Sequence, residues 1–181
     1  MSYRSFRGAT RSCVLPALVL ALAGCVTPAP TAPEKPAALT AATPQQQVAT
    51  IRATAGDGDG ELAIQPLRDP KVEDLRETAQ RLETQQHYTD AAKALDQALE
   101  IVPDDPALLQ ERAEAALLLD DHVQAESLAR HAFELGSKVG PLCRRHWATI
   151  EQARLLDGDA AGAATAKAQV AQCTVAGVDR F

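Results

Sequence analysis

The sequence predicts an all-α fold, a short solenoid of about three antiparallel helix-turn-helix repeats placed after a disordered tether. Three observations lead there. The chain has 181 residues, 46% hydrophobic but 3% aromatic, so a core must be built mainly from Ala and Leu, which suits closely packed helices. Asp69-Pro70 and Asp105-Pro106, 36 residues apart, each place a capping side chain before a proline at the first helical position. From residue 70 onward the sequence also repeats itself with a period of 34, the length of a two-helix repeat unit.

The first element is residues 1–24. Arg4, Arg7 and Arg11 precede an uninterrupted apolar run, VLPALVLALA at 14–23, and the small residues Ala21, Ala23 and Gly24 close it. That is the pattern of a secretory signal. Ten apolar residues containing Pro16 fall short of the roughly 20 that span a bilayer.

Leu22-Ala23-Gly24-Cys25 resembles the lipobox of bacterial lipoproteins. The resemblance implies that the Cys25 thiol takes a diacylglyceryl group, that the chain is cut before it, and that Cys25 becomes the acylated first residue. A thiolate is a strong side-chain nucleophile for accepting such a group, and two or three acyl chains anchor a protein where one is marginal. Val26, where inner-membrane lipoproteins carry Asp, implies an outer-membrane address facing the periplasm. Cys13 would leave with the signal.

Residues 25–67 read as a lipidated, Pro/Ala-rich flexible tether, with five prolines between 26 and 45 and one short apolar patch at Val48–Ile51. DGDGE at 57–61 invites a calcium reading. Asp57 and Asp59 fit the first two ligand positions of an EF-hand loop, but Leu62 stands where its glycine belongs and Arg68 where its final Glu belongs, so a solvated turn is the better reading.

Within the repeats, Leu75, Glu77, Ala79, Ala91, Ala98 and Glu100 recur 34 residues later as Leu109, Glu111, Ala113, Ala125, Ala132 and Glu134. The sequence here resembles the tetratricopeptide repeat family. Counted from Val72, Leu75 falls at that family's position 4, Ala79 at 8, Tyr88 at 17, Ala91 at 20, Ala98 at 27 and Pro103 at 32. The second unit, from Pro106, has His122 in place of the aromatic residue and Ser137 in place of the proline. A third unit is degenerate: Leu156-Asp157-Gly158-Asp159 looks like the turn between its helices, but four residues late. Its first helix (about 141–156) is then a turn longer, or follows a longer connection, and Trp147 falls at position 4. The expected units are 72–105, 106–139 and 140–174, within a domain of 68–181.

Cys143 and Cys173 stand at the open end of the third helical hairpin, which predicts a disulfide in the oxidising compartment that a lipoprotein would occupy. A thiolate dyad of Cys143 with His146 would need a third orienting group, and a zinc site with Cys173 a fourth ligand. Neither is evident at suitable spacing, so no metal, cofactor or catalytic residue is expected. His122 reads as a packing residue, and His87, His131 and His146 as helix-surface residues.

Removing the segment before Cys25 leaves 15 basic against 24 acidic residues, a poor composition for binding nucleic acid. The repeat resemblance implies a concave groove for a partner peptide or helix. Its positions are Glu73, Arg76, Gln80 and Glu83 in the first unit and Ala107, Gln110, Glu114 and Leu117 in the second. The expected function is therefore a membrane-anchored scaffold, not an enzyme, that holds an unidentified envelope protein. Roles of the class include piloting outer-membrane components and holding cell-wall enzymes in place. The alternative is a self-associating structural lipoprotein, since the helix at 160–171 presents a small-residue face with no helix after it.

Overall fold

A computed structural model describes residues 36–56 and 69–174. The signal and lipobox, with Cys25, and the DGDGE stretch at 57–61 lie outside the described residues. Among those described, the elements are α1 (Pro44–Ala55), α2 (Pro70–Thr84), α3 (Tyr88–Ile101), α4 (Pro106–Leu118), α5 (His122–Leu135), α6 (Pro141–Leu156) and α7 (Ala160–Gln172). They form an all-α solenoid. α2 packs on α3, α4 on α5 and α6 on α7, and α3·α4 and α5·α6 join successive pairs.

Local chemistry starts most of these helices. Asp69 accepts from Lys71 N–H, Asp105 from Ala107 and Leu108, Asp121 from Gln124 and Asp159 from Gly162, and Pro70, Pro106 and Pro141 sit in the first turn. The expected small positions are the contact points: Ala79, Ala91, Ala98, Ala113, Ala125 and Ala132 are all at most 4% exposed. A methyl group there lets neighbouring helices approach closely, and leucines such as Leu95 and Leu108 fill the space between.

The turn within each pair marks the register. Gln86, Asp120 and Gly158 have φ of 63°, 62° and 74°, and they stand 34 and 38 residues apart. The third unit is thus late by four residues, and the extra length is the N-terminal turn of α6. That turn carries Cys143, which is bonded to Cys173 at the end of α7 with Cα atoms 5.7 Å apart. Beside it, Gly140 N–H donates to the Cys173 carbonyl at 2.7 Å.

Two expectations are corrected. The stretch read as tether contains α1: Thr43 and Gln46 form a reciprocal capping box, Pro44 opens the helix, and Gln47, Val48, Ile51 and Ala55 are buried. A helix whose one face buries Val and Ile against other helices gains enough from desolvation to order. Also, His146 is not a surface residue. It is 0% exposed and lies in the core.

Candidate partner groove

α2, α4 and α6 are the first helices of the three units, and the repeat resemblance assigns the groove to their shared side. α1 lies across α4 and α6 there and runs antiparallel to α6. Leu39 N–H donates to Leu155 O at 2.7 Å at one end, and Arg144 Nε donates to Ala55 O at 2.9 Å at the other. Val48 and Ile51 join Leu117, Leu118, Ala148, Tyr88 and Val170 in one apolar cluster, and Gln45 Nε2 reaches the Tyr88 hydroxyl at 3.1 Å.

This helix decides the fate of the expected groove residues. Gln110, Glu114 and Leu117, expected to face a partner, are all 0% exposed. They form a floor covered by the chain's own segment. Glu73, Arg76, Gln80 and Glu83 stay on the open side. There Arg76 pairs with Glu73 at 3.0 Å and with Glu111, and these carboxylates, Glu111 first, hold its guanidinium above the usual range against the cost of burial.

The floor is polar and internally bonded. Gln110 Nε2 donates to Glu114 Oε1 and to Thr149 Oγ1, both at 2.8 Å. The amide oxygen of Gln110 therefore accepts from His146 Nδ1 at 2.7 Å, which assigns the proton to Nδ1. Burial pushes the His146 pKa down to about 3, aided by the charges of Arg145 and Lys138, so the ring is neutral. Arg145 Nη2 donates to Glu114 Oε1 at 2.6 Å.

α1 adds one cation to this floor. Arg52 Nε donates to Glu114 Oε2 at 2.8 Å, while Nη1 and Nη2 fork onto Glu83 at 2.7 and 3.0 Å. Burial opposes its charge, but these bonds and the two carboxylates outweigh it and raise the guanidinium above its ordinary value.

No Cα of α1 comes within 8 Å of one in α2, so a cleft separates the two helices and the Arg52–Glu83 pair bridges it. A cavity of about 470 Å³ lies on one side, lined by Gln80, Leu95, Glu111 and Arg145, and one of about 310 Å³ on the other, lined by Gln45, Val48, Tyr88 and Leu118.

A tetratricopeptide repeat model matches residues 72–115, the first unit and most of the first helix of the second. Among solved structures, the globular C-terminal domain of P. aeruginosa LpoP matches at 33% identity over 58% of this chain and 99% of that one, with a TM-score of 0.54. The chain belongs to the family of that domain. No curated protein sequence matches it.

In this LpoP-like chain the residues that sequence reasoning missed are Arg52 and Arg145. Arg145 had a readable signal, because with Gly158 as the turn it falls at groove position 2 of the third unit. Arg52 had a weaker one in Thr43-Pro44-Gln45-Gln46, a capping box before apolar residues at 48, 51 and 55. The cover over α4 was foreshadowed by α4 itself, whose Leu and Ala residues leave no wholly polar face. The candidate chemistry of the histidines is limited by position. His122 Nε2 pairs with Asp157 at 2.9 Å, and His146 is sealed from solvent. Among the described residues no group of three His, Cys, Asp or Glu is arranged to hold a metal ion, and no helix is long and apolar enough to cross a membrane.

Proposed function

We propose that the protein is a membrane-anchored interaction scaffold of the bacterial cell envelope with no catalysis of its own. Acylated Cys25 holds it to the membrane, most simply the outer membrane with the repeats facing the periplasm, and the concave face of the repeats holds a segment of another envelope protein. Repeat solenoids use such faces for extended peptides and helices, and the tetratricopeptide match at residues 72–115 supports that class of role. The observation that carries the reading is the cleft between α1 and α2, where the unit-1 groove residues Gln80 and Glu83 border space that the chain leaves unfilled.

A photocrosslinking residue placed at Gln80 or Thr84, in full-length protein in living cells, is expected to capture one discrete partner. The same group at Lys93, exposed on α3, is expected to capture none. Recovery of only lipid, or only a second copy, from the cleft positions would overturn the scaffold reading. Membrane attachment is tested separately: Cys25→Ser should release the protein into the soluble fraction.

A further inference from the structure

We propose that the concave face over α4 and α6 is a docking site for an amphipathic helix of a partner protein, held in this structure by α1 as a resident occupant that the partner helix displaces. The proposal rests on the scaffold reading and names its ligand class: a helix with aliphatic residues at the positions of Gln47, Val48 and Ile51, an arginine at that of Arg52, and a small residue at that of Ala55.

Three features of the α1 seat support exchange. In its floor only Glu114 Oε2 takes a hydrogen bond from α1, the one that Arg52 donates. With α1 gone, Glu114 keeps Arg145 and Gln110, and Gln110 keeps Thr149 and His146. Water can then replace Arg52 without stranding a buried charge, which an ordinary core interface would not allow. Secondly, the fit of α1 is imperfect. Gln47 is 1% exposed and its amide nitrogen reaches Ala42 O at 3.2 Å, but its Oε1 is buried with no partner. An unpaired acceptor carries its full desolvation penalty, so a ligand with an aliphatic residue at this position gains over the resident helix. Thirdly, the latch to α2 is accessible. The Arg52 and Glu83 side chains are 44% and 25% exposed and have cavities on both sides, which gives an incoming helix a place to start.

The charge pattern specifies the arginine. Glu83 and Glu114 converge on one guanidinium, so a ligand cation with Arg geometry is matched at this point and a carboxylate is rejected.

The test uses a fluorescent peptide of residues 40–56 and its Q47L variant, titrated by anisotropy into full-length hosts. One host is wild type. Two others weaken the resident helix, I51D by burying a charge and R52E by repulsion from Glu83 and Glu114, and the second retains every apolar contact should the first misfold. The Q47L peptide is expected to bind the weakened hosts at least roughly tenfold more tightly than wild type, because internal competition has been lifted, and more tightly than the parent peptide. E83R added to the I51D host, where the resident helix is already weakened, should weaken the parent peptide by roughly tenfold relative to I51D alone, and an R52E peptide should recover part of the loss. No saturable binding to either weakened host, or binding indifferent to E83R, would overturn the proposal. So would a wild-type dimer in light scattering that falls apart with I51D, since the occupant would then be the α1 of a second copy. Capture from Gln80 in cells without peptide binding would sink this inference and leave the scaffold reading standing.

Discussion

Arg52 of α1 and Glu114 of α4 meet at 2.8 Å although 62 residues separate them in the chain. Glu114 is fully buried there, and the same guanidinium also forks onto Glu83 of α2. One side chain thus ties the segment before the repeats to two units of the solenoid. Replacing it with glutamine removes a charge-assisted contact but leaves Glu114 paired with Arg145. The expected loss, discounted because Arg52 is partly exposed, is about 1 kcal/mol. It should be local. In hydrogen exchange, α1 amides should lose roughly fivefold in protection while those of α4 and α6 keep theirs. Equal loss in all three helices would show that α1 unfolds only with the whole body.

The turns within the repeats carry a second expectation. Gln86 and Asp120 hold positive φ at the position where Gly158 stands in the third unit. A side chain in the left-handed region costs roughly 1 kcal/mol that glycine avoids, partly offset by the larger entropy of an unfolded glycine. Gln86→Gly and Asp120→Gly should therefore each raise stability by about 0.5 kcal/mol in urea melts. Gly158→Ala should do the opposite. Its added Cβ would lie 2.7 Å from Ala37 O and from Pro36 Cβ, in the strand of chain that leads into α1.

These two cases show how unevenly the fold was legible. The turn register was readable because a 34-residue period repeats local chemistry: Asp caps, small residues, and a residue in the turn. The latch was not, because nothing near Arg52 in sequence names Glu83 or Glu114. α1 was missed for a related reason. Its proline and threonines, and the prolines before it, match a linker composition, and its ordering depends on a face of α4 and α6 that composition does not reveal.

His146 predicts an acid sensitivity. The folded protein holds its pKa near 3, below the usual 6.5, so between those values the unfolded chain binds a proton that the folded chain does not. The stability from the neutral ring is fully present above pH 6.5 and is lost as pH falls toward 3, by a few kcal/mol at most, at about 1.4 kcal/mol for each unit. His146→Asn, which can still donate to Gln110, should be less stable at neutral pH through lost packing but should show a shallower decline between pH 7 and 4. Parallel pH profiles of the two proteins would refute the assignment.

The Cys143–Cys173 bond closes 30 residues and should contribute about 3 to 4 kcal/mol in the chain-entropy model. Its partners lie on the third repeat, where, among the described residues, α6 is the one helix whose backbone packs against α7. Reduction, or a Cys143→Ser/Cys173→Ser double substitution, should lower the unfolding midpoint and expose α7 to exchange before α2 to α5. A midpoint unchanged by reductant, with two thiols titrated in the native protein, would show that the bond is not formed in solution.

What the sequence determined by itself is the repeated helical hairpin, its register including the four-residue delay at Gly158, the small residues at the helix contacts, and the pairing of Cys143 with Cys173. Each is encoded within one or two helices, where spacing and capping act over short range. The tertiary structure decided what the concave face contains. Gln110, Glu114 and Leu117 were expected on that face from their positions in the repeat, yet they are buried, because α1 finds there an apolar patch and a paired carboxylate that its own Val48, Ile51 and Arg52 complement. Burial is a property of two surfaces brought together, and the second surface lay outside the period.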